Sequence, residues 1–353
     1  MTLQTRITDK LSALCACMAQ EGLDGLVITD HTDQFYILGF YFSQGEAVFL
    51  IHDGRLVCFA RELYVHPLKE KYPFIDVVGA DKGAAAQAID LAGRLGLKRV
   101  GFDAGKENYM TGSLFKAAGF VEADSFISRL RKVKDEHEAA LLRDSCRIAY
   151  QTYLYIRPLL QTGVTEFEVA AEMEKFMRMK GASTTSFDTI VAFGENGANP
   201  HHVTSHRALK ENDAVLMDFG CIYEGYCSDI TRCWWHGNQE PEEYTKIWNL
   251  VDKARRTGIA AEAPGVAAQK VDAAARAVIT DAGYGAYFTH RLGHGVGLEI
   301  HEEPCNDQTT RAVLKKGNVV TVEPGIYLPG KFGVRLEDTT LITETGAEIL
   351  TKE

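Results

Sequence analysis

The sequence predicts a two-domain chain, an α/β domain followed by an α+β domain built around an antiparallel sheet, and three observations carry that expectation. A length of 353 residues fits two domains better than one or three. Up to about residue 125 helical and strand patterns alternate, as in a layered α/β unit. Beyond it helices come in blocks and strands come as hairpins, as in an α+β unit. With 46% hydrophobic and 24% charged residues, disordered, collagenous and low-complexity chains are excluded.

The first element is a helix over about 3–21, because Ile7, Leu11, Leu14, Cys15 and Met18 fall on one face at 3.6-residue spacing. Arg6 and Lys10 ahead of a small, apolar stretch loosely imitate a signal peptide, but the amphipathic spacing favours a retained helix. A buried strand follows over 24–29. Ala47 to His52 and Arg55 to Ala60 flank Asp53-Gly54, a pair that supplies the positive φ angles of a tight hairpin turn. A helix over 82–94, a strand over 98–103 and a helix over 111–119 complete the domain. The charged stretch Arg129 to Glu138 opens a long helix to about 160, and the boundary falls there, giving domains 1–128 and 129–353.

In the second domain Thr165 and Glu168 form a capping box ahead of a helix to about 180. Strands are expected over 187–194, 214–222 and 226–235, helices over 241–262 and 268–282, and strands again over 318–323 and 332–343.

A net charge of −10 with no basic stripe speaks against nucleic acid as a partner. No apolar run approaches the roughly 18 residues of a membrane span. Eight scattered cysteines with no CxxC pair argue against a zinc ribbon or a thioredoxin-like motif, and free thiols point to a reducing compartment, the cytoplasm.

Seven of the eleven histidines lie between positions 201 and 301. Among them run two strands carrying Asp218 and Asp229, joined by a turn near Glu224-Gly225. With those two residues at the centre of the turn, Asp218 faces Thr231 and Asp229 faces Gly220, so both carboxylates share one face. Water around a surface pair would explain them, but Asp218 sits inside Val-Leu-Met-Asp-Phe, where a buried carboxylate needs a compensating cation. Glu323 ends an apolar strand, and Glu337 follows Val334-Arg-Leu. His294 is bracketed by Gly293 and Gly295, which lets a ligand or a neighbouring backbone come close. Four carboxylates and one imidazole suit two divalent ions, and the charges then cancel. Such a pair of ions performs metal-assisted hydrolysis.

Asp218 in Met-Asp-Phe-Gly, Asp229 in Cys-Ser-Asp-Ile-Thr-Arg, His294 in Gly-His-Gly-Val-Gly-Leu-Glu-Ile-His-Glu, Glu323 in Thr-Val-Glu-Pro-Gly-Ile-Tyr and Glu337 in Gly-Val-Arg-Leu-Glu-Asp together resemble the pita-bread metallopeptidases. The chain is most similar to their prolidase and aminopeptidase P branch, which carries a creatinase-like N-terminal domain, and the likeness spans nearly its whole length.

The resemblance implies a dinuclear centre held by Asp218, Asp229, His294, Glu323 and Glu337, with manganese the first expectation and cobalt, zinc or iron as alternatives. It further implies His201, His301 and His290 on the substrate side, Glu323 as the proton acceptor, and hydrolysis of the Xaa-Pro bond of short peptides by a metal-bridging hydroxide. A homodimer is implied too, with the N-terminal domain helping to close the site. Arg335, two positions before Glu337, either orients a ligand or substrate carboxylate or forms a structural salt bridge. The chain departs from the pattern at Cys233, where relatives commonly have Thr, at Phe193, and at Cys305, where many prolidase-type relatives place Arg. A creatinase-like amidinohydrolase and an inactive peptide-binding module are the alternative readings, and both predict an incomplete ligand set.

Overall fold

A computed structural model describes residues 2–80 and 83–352. Its contacts divide it into two compact units, Met1–Arg131 and Lys132–Glu353, against the boundary at 128 expected from the charge run.

The first unit contains α1 (Leu3–Gln20), β1 (Gly25–Ile28), α2 (His31–Leu38), β2 (Ala47–His52), β3 (Arg55–Ala60), α3 (Glu62–Lys71), β4 (Asp76–Gly79), α4 (Ala84–Leu95), β5 (Val100–Phe102), α5 (Tyr109–Ala117), β6 (Val121–Glu122) and α6 (Phe126–Arg131). One sheet runs in the order β4-β3-β2-β1-β5-β6, with β1 parallel to β5 and antiparallel to β2. The β2–β3 hairpin pairs His52 with Arg55 across Asp53 and Gly54, both at positive φ. Helix α1 buries Ile7, Leu11, Leu14 and Met18, with Cys15 half-buried at the edge of that stripe. The helix expected over 82–94 is α4; residue 82 lies outside the described residues.

Helices α2 and α3 escape the sequence reading for physical reasons. Helix α2 is eight residues long and buries Asp33 and Gln34 beside Tyr36, Ile37 and Leu38, with the Gln34 amide donating to the carbonyls of Ile28 and Ala47, so polar positions interrupt its apolar pattern. Helix α3 carries Pro67 in its interior, a residue that ordinarily marks a break.

The second unit contains α7 (Glu136–Ile156), α8 (Glu166–Met179), β7 (Thr184–Thr185), β8 (Ile190–Phe193), β9 (Asp213–Phe219), β10 (Cys221–Tyr223), β11 (Tyr226–Cys227), β12 (Ile230–His236), α9 (Glu242–Ala261), α10 (Ala268–Asp281), β13 (Gly293–Gly295), β14 (Glu302–Asn306), β15 (Val319–Val322), β16 (Gly325–Leu328), β17 (Phe332–Arg335), β18 (Asp338–Ile342) and β19 (Ala347–Ile349). Both α7 and α8 start at complete capping boxes, Asp135 with Glu138 and Thr165 with Glu168. All strand pairs of this unit are antiparallel, in sheets ordered β12-β9-β8, β11-β10-β7, β14-β13-β15-β18-β19 and β16-β17.

Side chains of β9 alternate between two cores. Val215, Met217 and Phe219 pack with Ala149 of α7 and Met173 and Met177 of α8. Ala214 and Leu216 pack on the opposite face, in the core that α9 and α10 form with Val320, Val322, Ile326 and Val334. Asp218 has the parity of Leu216 and so points to the second face, among the later strands.

Three strands expected to be continuous are interrupted. The 214–222 run breaks at Gly220, 226–235 at Ser228-Asp229, and 332–343 at Leu336-Glu337. At Gly220 a Cβ would lie 1.8 Å from the Ser228 carbonyl oxygen, so only glycine allows the two chains to cross there. Asp229 and Glu337 occupy two of these interruptions and Glu323 lies between β15 and β16, so of the four carboxylates Asp218 alone lies inside a strand.

Candidate metal centre

The hairpin register is the one expected: Asp218 faces Thr231, and Tyr223 faces Tyr226 across Glu224 and Gly225, both at positive φ. Glu337 is drawn to the same point because its backbone N–H donates to the Thr231 carbonyl and its Oε2 accepts from Thr231 Oγ1 at 2.7 Å.

His294 arrives on β13, held between β14 and β15. A Cβ on Gly293 would stand 1.9 Å from the Thr321 carbonyl oxygen, and one on Gly295 2.7 Å from that of Glu302. Of the two roles the sequence allows these glycines, the structure shows close approach of neighbouring backbone. From α10, Asp272 accepts the Leu292 N–H, and Arg276 donates to the carbonyls of Phe288 and His290, which pins the chain leading into β13.

Asp229, His294 and Glu337 each offer a ligand atom within 4.8 Å of the others. His294 Nε2 lies 3.5 Å from both Asp229 Oδ2 and Glu323 Oε1. The Nδ1–H of His294 is directed to the Gly295 carbonyl at 3.0 Å, which leaves the Nε2 lone pair facing the carboxylates. Burial pushes the Asp229 and Glu337 carboxyls well above their ordinary range, and repulsion from neighbouring carboxylates adds to it. Burial raises Glu323 as well, against the opposing pull of Arg335. Burial also holds His294 low, to about 4, so its imidazole is neutral and free to ligate.

The donor set fits divalent cations. Asp218 Oδ1, Asp229 Oδ1 and Glu337 Oε1 are buried without a hydrogen-bond partner. Unpaired buried carboxylate oxygens cost several kcal/mol each unless a cation answers them. The grouping of Asp229 and Glu337 with the neutral imidazole of His294 is the arrangement such a cation requires.

Arg335 is 3% exposed, and its guanidinium serves the centre's own residues. It donates to Asp218 Oδ2 at 2.5 Å, Tyr327 Oη at 2.8 Å, Thr231 Oγ1 at 3.1 Å and the Pro200 carbonyl at 3.3 Å. Of the roles open in the sequence, Arg335 thus forms the ion pair that orients Asp218, rather than gripping a substrate carboxylate. His290 Nδ1–H donates to the Arg291 carbonyl, so His290 Nε2 accepts from Tyr327 Oη at 2.8 Å while Tyr327 accepts from Arg335. Burial and the cation of Arg335 hold His290 low, which suits an accepting, neutral imidazole.

His301 is exposed and meets His294 edge to face, ring centroids 4.3 Å apart. His201 is exposed beside Pro200, on the segment after Phe193. That segment is tied to buried Glu166, which accepts from Phe193 N, Asn196 Nδ2, His202 Nε2, Ser205 N and Ser205 Oγ at 2.6 to 2.9 Å. These bonds hold the Glu166 carboxyl low in spite of its burial.

Glu166, Thr231, Thr321, Tyr327, Asp272 and Arg276 are supporting residues that the sequence reading missed. Tyr327 closes the Glu-Pro-Gly-Ile-Tyr motif and Thr231 faces Asp218, so those two carried a signal; the others carried none. Three thiols back the centre: Cys227 two residues before Asp229, Cys233 accepting the Arg335 N–H, and Cys146 fully buried. Burial raises all three, Cys233 to about 12.

The model of metallopeptidase family M24 matches residues 140–344, and that of the creatinase/prolidase N-terminal domain matches 10–133. The chain belongs to metallopeptidase family M24. It is 36% identical over 350 residues to an Xaa-Pro dipeptidase of Pyrococcus furiosus, covering 98% of both chains. Its fold is similar to that of an Xaa-Pro dipeptidase from Bacillus anthracis, with a TM-score of 0.94, 34% identity and 98% of each chain covered. An X-Pro aminopeptidase from Thermotoga maritima matches with a TM-score of 0.87 and 32% identity over 94% of this chain and 96% of that one. The fold expected from the resemblance, a creatinase-like domain followed by a pita-bread domain, is therefore the fold of this chain.

Proposed function

We propose that this chain is a metal-dependent peptidase that hydrolyses the Xaa-Pro bond of short peptides and releases the N-terminal residue. The observation that carries the reading is the cluster of Asp229, His294 and Glu337, whose ligand atoms lie within 4.8 Å of one another, together with three buried carboxylate oxygens of Asp218, Asp229 and Glu337 that have no hydrogen-bond partner. The dipeptidase and aminopeptidase names of its relatives support the proline specificity.

Asp218, Asp229, His294, Glu323 and Glu337 would hold two divalent ions, which when bound polarise the scissile carbonyl and lower the pKa of water. Hydrolysis adds hydroxyl to the carbonyl carbon and a proton to the proline nitrogen, which carries no hydrogen in the peptide. Glu323, ionised once metal is bound, takes up the water's proton and hands it to that nitrogen as the C–N bond breaks. His201 and His301 supply hydrogen-bond donors on the open side. The Arg335–Tyr327–His290 chain keeps Asp218 in place throughout.

Hard oxygen donors favour manganese as the working metal. The eight free cysteines support a reducing, cytoplasmic setting, and among the described residues no helix is long and apolar enough to cross a membrane. A homodimer goes with this reading, and sedimentation tests it. The deciding experiment strips the protein with a chelator, restores manganese and follows release of the first residue from an Xaa-Pro dipeptide and an Xaa-Pro-Yaa tripeptide. Metal-dependent turnover of either supports the reading, and turnover of neither overturns it.

A further inference from the structure

We propose that Arg232, together with Asp338, Thr339 and Thr351, is the positioning device of the metal centre, holding Asp229 and Glu337 at their spacing through the backbone; the inference rests on the metal-dependent reading above. Asp229 and Glu337 need such a device because no strand ladder fixes them. Asp229 lies between β11, which pairs with β10, and β12, which pairs with β9. Glu337 lies between β17, which pairs with β16, and β18, which pairs with β15. At both points the chain passes from one sheet to another, and a ligand on such a crossing keeps its place only if other groups hold its backbone.

The missing bonds come from one polar network. Arg232 Nη1 donates to the Thr231 carbonyl at 3.1 Å and to the Glu337 carbonyl. The same Thr231 oxygen accepts the Glu337 N–H, so the guanidinium closes a staple around the Glu337 backbone. Arg232 Nη2 reaches on to Asp338 Oδ1 and to the Thr351 carbonyl, each at 2.9 Å. Thr339 serves the other ligand, its Oγ1 donating to the Asp229 carbonyl at 2.8 Å.

Thr351 joins the two halves. Its Oγ1 donates to Asp338 Oδ1 at 2.7 Å and accepts the Thr339 N–H at 3.2 Å, and the neighbouring Leu350 N–H donates to the Thr339 carbonyl at 2.8 Å. Asp338 Oδ2 accepts from Arg255 of α9, which also pairs with Asp252, so the Asp338 charge is answered from two sides. Asp338 is 2% exposed and both threonines are fully buried. Apolar side chains would fill this space at lower desolvation cost, whereas the polar set fixes directions, which a ligand backbone requires. A guanidinium suits the task because its planar fork reaches four acceptors at once, and an ammonium does not.

Titration calorimetry of the metal-stripped chain with manganese alone tests the proposal without any peptide. Arg232→Met should weaken manganese binding roughly 10–100-fold, and Arg232→Lys should recover only part of the loss. Thr351→Val keeps the side-chain shape, removes the hydroxyl that links Asp338 to Thr339, and should cost roughly 2–10-fold; it carries the test if Arg232→Met does not fold. The absorption bands of the cobalt-loaded protein should shift in both variants, because displaced carboxylates change the ligand field. Variants that melt lower without metal, yet bind manganese as the wild type does and keep its cobalt spectrum, overturn the proposal: the network then supports the fold alone. A wild type that takes up no manganese overturns the metal-dependent reading as well. Peptide turnover does not enter the test, so failure of the Xaa-Pro specificity is seen separately.

Discussion

Glu262 offers a quantitative test of how burial governs this fold. It closes the C-terminus of α9, is 2% exposed, and accepts hydrogen bonds from Thr340 Oγ1 at 2.8 Å and Asn306 Nδ2 at 3.2 Å. Burial raises its carboxyl from 4.5 to about 8. The folded chain therefore binds a proton that the unfolded chain releases, so the group's contribution to stability is complete below about pH 4.5 and is lost as pH rises to about 8. At about 1.4 kcal/mol per pH unit, that loss is about 3 kcal/mol at pH 7 and about 5 kcal/mol beyond pH 8. Glu262→Gln keeps shape and neutrality at every pH, and its amide can also donate to Asn306 Oδ1, which has no partner. The variant should match the wild type near pH 4.5 and exceed it by those amounts above. Urea unfolding of the metal-loaded protein, followed by tryptophan fluorescence, suits the measurement because Trp234, Trp235 and Trp248 all lie in the second unit. Parallel stability curves for the two proteins between pH 5 and 9 would refute the argument.

Metal loading of the chelator-treated protein at pH 7 should release protons, because burial and mutual repulsion keep Asp229, Glu323 and Glu337 protonated above their ordinary range. Calorimetry in two buffers of different ionisation enthalpy measures this, and identical heats would contradict it. Thr231→Val removes the hydroxyl joining Glu337 to Arg335, and metal affinity should fall roughly 10–100-fold; an unchanged metal content after dialysis would count against that role. Glu166→Ala strands the donors that fix the His201 segment, so thermal melts should show a loss of about 3–5 kcal/mol together with a higher KM. A change below about 1 kcal/mol would mean the segment is held by other contacts.

Much of the centre is legible in the sequence because its carboxylates break local rules. A charged residue within Val-Leu-Met-Asp-Phe has no bland explanation, and turn chemistry at Glu224-Gly225 is strong enough to place Asp218 opposite Thr231. The breaks at Asp229 and Glu337 were not legible, since β-branched and aromatic residues continue on both sides and the crowding at Gly220 arises only once two chains cross. Glu166 was hidden for the opposite reason: in sequence it is one more acidic residue in the first turn of a helix, where dipole and capping explain it fully. Its five donors come from residues 27 to 39 positions away. Arg335 was ambiguous until its neighbours were known, because a guanidinium two residues from a ligand serves a substrate or a ligand equally well.

The sulfur behind the centre has a chemical consequence. Cys146, Cys227 and Cys233 are buried in the second unit, Cys233 against the Arg335 N–H, yet are held as thiols, and it is the thiolate that attacks alkylating agents, peroxides and soft metal ions. The centre is thereby flanked by sulfur that does not react, and reagents such as iodoacetamide should leave it intact in the folded protein. Unfolding returns those thiols to ordinary acidity, so alkylation becomes a clock for opening of the second unit.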